Sequence, residues 1–247
     1  MLLLDKALEM DNLRVAWEEV AENRGGAGVD DVSIEVWRRN WEERLVQLRR
    51  AVRANTYKQG KLRLRRIPKG SRKGFRILRI PTVTDRVLQR AVLQVLYLTF
   101  EQRFSDSSFG YRPGRGLVDA VEHILVLREN GFRWVLDADI DNFFDSVDLE
   151  LLMSFLRADL SDDSLLPLIV RWLDAGCSDS ERRVGISLGS PLSPLFANVY
   201  LHRLDTAIGQ FSYPEVRYAD DFVLFAESHD GAVDAYHQVD KILQRLK

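Results

Sequence analysis

Tyr218-Ala219-Asp220-Asp221-Phe222 constrains this chain more than any other stretch, because it sets two adjacent carboxylates inside an apolar, aromatic run from Glu215 to Ala226. Neighbouring side chains on a strand point to opposite faces, so one of the two aspartates would be driven toward a core. An unpaired charge there is costly. A tight turn removes the conflict: Glu215–Tyr218 and Phe222–Ala226, rich in Val, Tyr, Phe and Leu, are predicted strands joined through Ala219-Asp220. The carboxylates then sit at a hairpin tip, either solvated or gathered around a divalent cation.

The size of 247 residues, with 46% hydrophobic and 29% charged side chains, allows a substantial globular core. Apolar runs such as Leu165–Val170 fall short of a membrane span, and Met1-Leu2-Leu3-Leu4 is interrupted at Asp5 without a basic leader. The expectation is a cytoplasmic protein with no membrane partner. Cys177 is the only cysteine, which excludes an internal disulfide and a cysteine-based zinc site. The net charge of −2 hides an asymmetry. Thirteen Lys or Arg and no acid lie between Arg49 and Arg79, leaving 22 bases against 37 acids elsewhere. A basic lobe suits a polyanion and an acidic one suits metal ions.

Apolar spacing predicts one helix over Asp5–Asn23, a glycine loop at Gly25–Gly28, and a second helix through Ile34, Trp37, Trp41, Leu45 and Leu48, capped by Asp30 or Asp31. Lys61–Ile67 alternates as a half-buried strand with basic residues on its open face, and Phe75–Ile80 answers it across a basic tip at Pro68–Gly74. A long helix follows over Thr84–Phe104, with Val87, Leu88, Ala91, Val92, Val95 and Leu98 inward. Ser108–Gly116 is a glycine-punctuated loop in which Arg112 and Arg115 can touch a sugar-phosphate backbone or hold carbonyls. Leu117–Glu129 is again helical. Trp134–Asp139 begins as an apolar strand and runs into Asp137, Asp139, Asp141 and Asp145, four acids in nine positions that repel one another without a cation. Helices are expected over Leu149–Leu156 after Asp148, over Asp163–Ala175, over Leu195–Ile208 after the Gly185–Pro194 loop, and from Asp230. His123 and His202 read as structural.

The order is therefore basic hairpin, arginine loop, acidic strand, glycine loop into helix, and Asp-Asp hairpin, a set of parts suited to nucleotidyl transfer. In that chemistry two metals roughly 3.5–4 Å apart share carboxylates while basic residues hold the triphosphate.

These residues resemble the reverse transcriptases of the group II intron type. Tyr218-Ala219-Asp220-Asp221 is similar to the family's YADD box, and Asp139–Asp145 to its first catalytic strand. Gly185–Leu204, reading GISLGSPLSPLFANVYLHRL, is similar to the GTPQGGxxSPLLANIYLHxL segment. Phe109–Arg115 resembles the GFRPGRS loop, Ile67-Pro68-Lys69 with Arg76 and Ile80-Pro81 the fingers hairpin, and Gly25–Asp30 a glycine-rich insert of that lineage.

The resemblance implies an α+β right-hand polymerase, with fingers over 1–130 and palm over 131–247, an antiparallel palm sheet packed on helices, and no thumb before Lys247. It implies an RNA-directed DNA polymerase that extends a 3′-hydroxyl with dNTPs, using two Mg²⁺ or Mn²⁺ ions. Asp139, Asp220 and Asp221 would be catalytic, with the Ile140 carbonyl as a further metal ligand. Lys69, Arg76, Phe143, Phe144, Leu188 and Gly189 would meet the nucleotide, Phe144 lying under the sugar to exclude a 2′-hydroxyl. Arg112, Arg115 and Tyr218 would meet template or primer. Leu188 departs from the family, which has Gln there, and turns the comparison toward domesticated relatives, the CRISPR-associated enzymes above all because Tyr200–Asp205 keeps its intron-like form. Implied partners are an RNA template, a DNA or RNA primer, and CRISPR integrase proteins or other fused domains. Two alternatives stand beside this reading: a catalytically weak or dead RNA- or protein-binding relative, and a polymerase that starts chains without a primer. A region ending before the thumb is expected to hold template-primer weakly and extend it with poor processivity.

Overall fold

The computed structural model describes residues 1–68 and 74–246. The expected first helix is two, α1 (Leu3–Ala7) and α2 (Met10–Glu22), because Glu9 adopts extended backbone between them. The Asn12 amide donates to the carbonyls of Ala7 and Ala91 at 3.0 Å each, closing α1 against a later helix. The second predicted helix also divides, into α3 (Ile34–Arg38) and α4 (Trp41–Arg53). Its cap is Ser33, whose hydroxyl accepts from Val36 N at 3.3 Å, while Asp30 only closes a turn onto Val32 N.

β1 (Arg63–Pro68) and β2 (Phe75–Ile80) form a two-stranded antiparallel ribbon, paired from Arg63 with Ile80 to Pro68 with Phe75. The expected half-burial of β1 is not found: Leu64 is 66% exposed, and Ile67 and Phe75 are also open. Alternation gives a strand two faces, and burial requires a further layer that this ribbon lacks among the described residues. The basic tip, with Lys69, lies outside those residues. Thr82 caps α5 (Val83–Phe100), which buries Val87, Leu88, Ala91, Val92 and Val95 as expected. The helix stops at Phe100 rather than Phe104. Its last turn buries Leu96 and Phe100, so the covered face rotates away from Leu98, which is 75% exposed instead of inward.

The second half contains α6 (Leu117–Glu129), β3 (Trp134–Asp139), α7 (Phe143–Ser146), α8 (Leu149–Asp159), α9 (Leu166–Gly176), α10 (Ser193–Ile208), β4 (Glu215–Tyr218), β5 (Asp221–Ala226) and α11 (His229–Leu246). Asp148 caps α8 through Leu151 N at 2.9 Å. The sheet is antiparallel in the order β3-β5-β4, with Asp139 opposite Asp221 and Tyr218 opposite Asp221. One face, with Leu136, Ala138, Phe222 and Leu224, joins a hydrophobic core that also takes in Trp17, Leu88 and Leu201. On the other face Val216 and Phe225 pack with Phe109, Ala120 and Leu127, which leaves the Asp139–Asp221 end uncovered. No helix among the described residues is long and apolar enough to cross a membrane.

Candidate active site

The Asp-Asp turn is built from below. Ala219 has φ +60°, a conformation that favours glycine, and its backbone is pinned in place. A Cβ on Gly110 would lie 2.3 Å from Ala219 N, so only glycine lets the 108–116 loop close over the turn. Arg217 lies on the core face of β4, its side chain 0% exposed, and makes a bidentate pair with Asp205 of α10 at 2.6 Å for both bonds. Its third nitrogen donates to Asn198 Oδ1 at 3.0 Å and to Ala219 O at 2.9 Å, while Asn198 donates to Gly110 O at 2.9 Å. Arg217 N and O bond Ser107 O and Phe109 N. One buried guanidinium thus ties β4, α10, the glycine loop and the turn together. Motif similarity assigns no role to Arg217, Asp205 or Asn198. Their signal was a charge in the inward register of a strand, and two polar residues seven apart on one helix face.

This frame resolves the conflict between the adjacent aspartates. Asp221 opens β5 on the same sheet face as Asp139 and Asp137, and Asp220 belongs to the turn rather than to either strand. Burial, then the Asp139 charge, push the Asp220 carboxyl above its usual range, against Arg76 and Arg217. Burial again comes first for Asp221, followed by repulsion from Asp139, Asp220 and Asp137. Among the described residues no three such side chains are already drawn around one point. The donor set is nevertheless what a hard divalent cation takes: carboxylate oxygens held close enough to resist ionisation, a resistance that a cation removes.

Asp139, Asp220 and Asp221 line a cavity of about 490 Å³, walled opposite by Ile67, Pro68 and Arg76 of the ribbon. The strand β3 leaves the site through Ile140, which also lines the cavity, and Asn142 at φ +51° swings the chain into α7. Phe143 turns inward and is buried against Tyr200, and it also borders the cavity. Phe144 stays half-buried, edge-on to Tyr111 at 6.4 Å. Asp141 accepts from Asn142 at 2.9 Å, and the Asp145 carbonyl accepts from Ser178. Leu188 brings an apolar wall to the cavity and its carbonyl accepts from Arg79 N at 2.8 Å. Gly189, at φ +117°, holds that seam, because a Cβ there would lie 2.8 Å from Arg79 O.

The template residues separate. Arg112 is spent inside the fold: its side chain is 2% exposed, paired with Glu101 at 2.7 Å and donating to Ser108 O at 2.8 Å. Burial takes it out of reach of a template, the carbonyl-holding alternative of the two read from the sequence. Arg115 is partly exposed and bonded to Asp106, and Tyr218 is exposed beside Asp221. Burial lowers the basicity of His202, which stands edge-on to Phe104, and His123 lies against Phe109, both outside the cavity lining.

An antiparallel sheet backed by helices, an acidic turn at its open end and a basic ribbon across the cavity define the fingers and palm of a right-hand polymerase. A family profile described as "Reverse transcriptase (RNA-dependent DNA polymerase)" matches residues 67–247, and the chain belongs to that family. It is 30% identical over 244 residues to the Group II intron-encoded protein LtrA of Lactococcus lactis subsp. cremoris, covering 95% of this chain and 40% of that protein. The Retron Ec83 reverse transcriptase of Escherichia coli is 27% identical over 187 residues, 70% of this chain and 55% of its own. A solved "Partial Cas6-RT-Cas1--Cas2 complex" aligns over all of this chain and 42% of its own, at TM-score 0.56 and 26% identity. The likeness to both intron-encoded and CRISPR-associated reverse transcriptases agrees with the motif reading. The chain spans well under two thirds of the length of these relatives.

Proposed function

We propose that this chain is the fingers and palm of an RNA-directed DNA polymerase, adding dNTPs to a primer 3′-hydroxyl on an RNA template. The observation that carries the reading is the pairing of Asp139 with Asp221, next to Asp220, on one wall of a cavity whose other wall carries Arg76. Asp139, Asp220 and Asp221, with the Ile140 carbonyl, would hold two Mg²⁺ or Mn²⁺ ions. Such ions would activate the attacking hydroxyl and stabilise the leaving pyrophosphate. Arg76 would pair with the triphosphate, Phe144 would lie under the sugar and favour deoxyribose, and Leu188 with Gly189 would border the base. Tyr218 and Arg115 are the candidates for primer and template. The domain division is proposed near residue 130, where α6 ends and the acidic strand follows, and a cytoplasmic location is proposed with it.

Likeness to a reverse transcriptase solved with Cas6, Cas1 and Cas2 favours one use, the copying of RNA for spacer acquisition beside integrase proteins. The test is dNTP incorporation on a primed RNA template, wild type against Asp220→Ala, with NTPs in parallel. We expect loss on the order of 10⁴-fold in the variant, about 5 kcal/mol on the barrier, and little NTP use. Equal incorporation by the two proteins refutes the assignment.

A further inference from the structure

The β1–β2 ribbon carries Arg76 over the carboxylates, yet both its faces are largely open. Its attachment is therefore at its ends. Gly60 precedes β1 by three residues and Thr82 follows β2 by two, and both are held by one buried side chain. Asp85, in the first turn of α5, accepts from Gly60 N at 3.1 Å and from the Thr82 hydroxyl at 2.7 Å through Oδ2. Its Oδ1 accepts from the Tyr57 hydroxyl at 2.5 Å, and Tyr57 in turn accepts from Trp172 Nε1 of α9 at 3.3 Å. A Cβ on Gly60 would lie 2.5 Å from the Thr82 methyl, so the two ends of the ribbon are closed tightly over the carboxylate. The second attachment is the seam at Arg79 with Ser187 and Leu188.

Arg76 lies four residues beyond Ile80, roughly 13 Å along the strand at about 3.3 Å per residue. A small rotation at the base therefore becomes a larger displacement at the guanidinium. We propose that Asp85 is a positioning residue for nucleotide binding, a clamp that joins both ends of the ribbon to α5 and, through Tyr57, to α9, and so sets where Arg76 meets a triphosphate. The proposal rests on the polymerase reading above. Asp85 touches no reacting atom and acts through Arg76 alone.

The test is a coupling measurement: steady-state dNTP kinetics on a primed RNA template for wild type, Arg76→Ala, Asp85→Asn, their double variant and Tyr57→Phe. Asp85→Asn keeps the shape but offers an amide where two donors converge. It should raise KM for dNTP about five- to tenfold with kcat within about twofold. The double variant should be no worse than Arg76→Ala alone, and Tyr57→Phe, the milder change should Asp85→Asn fold poorly, should shift KM in the same direction by less. Multiplying effects in the double variant, or a fall in kcat at unchanged KM, overturns the clamp. Hydrogen exchange supplies a readout without chemistry. Amides of Phe75–Ile80 should exchange about tenfold faster in Asp85→Asn while those of α10 keep their rates. Unchanged ribbon exchange, or acceleration throughout, counts against the proposal. A wild type that incorporates no dNTP sinks the polymerase reading and leaves the exchange result to decide the clamp.

Discussion

The ribbon β1–β2 and the sheet β3-β5-β4 are both antiparallel and both send successive residues to alternate faces, yet they use that alternation differently. In the sheet one face is closed by helices, so position along the strand decides core or cavity, and Asp139 and Asp221 share the open side. In the ribbon the same pattern leaves Leu64, Ile67 and Phe75 exposed on both faces. Alternation fixes which residues share a face; only a covering layer decides what is buried. The exceptions to the pattern carry the information. Arg217 and Glu215 break it on the core face of the sheet, and there the fold is tied.

The largest effect expected from that contrast comes from removing an arginine in each region. Arg217→Leu leaves Asp205 buried without its partner and should cost about 3–5 kcal/mol, against a typical whole-domain stability of about 5–15 kcal/mol. Arg217→Leu with Asp205→Leu should recover much of the loss, since two apolar groups leave no buried charge. Arg66→Leu on the exposed ribbon should stay within about 0.5 kcal/mol. Urea denaturation of the four proteins settles the comparison. Similar costs for Arg66→Leu and Arg217→Leu would break it.

A smaller effect belongs to the seam between the two regions. Gly189→Ala must hold φ +117° and crowd Arg79 O, which should cost about 1–3 kcal/mol of backbone strain or be relieved by lifting β2 off Leu188. The two outcomes separate in one pair of measurements. Strain lowers the melting temperature with dNTP KM unchanged, whereas lifting raises KM with little thermal cost. The second result would put the weaker attachment in the ribbon, as the contrast predicts.

Strand spans, the two-residue turn and the three aspartates were legible in the sequence because each depends on short-range pattern: alternation, turn chemistry and acid spacing. Helix breaks were not. The division at Glu9 follows from Asn12 reaching Ala91, a partner 79 residues away that no local spacing reports. Arg112 illustrates the same limit. Its loop motif suggested either of two roles, and the choice was made by Glu101 and the Ser105 and Ser108 carbonyls arranged around it in space. Arg217 shows that a residue inside the most informative motif can serve the motif's support rather than its chemistry.

The smallest expected effect, and the most specific to the sheet, concerns Glu215. It lies buried beside the Arg217–Asp205 pair, and burial first, with the Asp205 charge next, pushes its carboxyl up to about 8 despite Arg217. An unfolded glutamate titrates near 4.3. Between those values the folded protein binds more protons than the unfolded one, so stability falls as pH rises through that window and levels off above it. Glu215→Gln cannot ionise and keeps the pair intact. Its advantage over wild type should be near zero at pH 4 and grow to about 1–2 kcal/mol by pH 8.5, a fraction of what the shift implies at 1.36 kcal/mol per unit, because local relaxation screens part of the charge. Asp220 and Asp221 are also raised, but both proteins keep them and their slopes cancel in the difference. The pH dependence of that difference belongs to the sheet, where Glu215 opens β4. Unfolding free energies measured at several pH values decide it: a gap that stays flat from pH 5 to 8.5 would mean that Glu215 is already ionised in the fold, and that the Arg217 guanidinium serves two carboxylates rather than one.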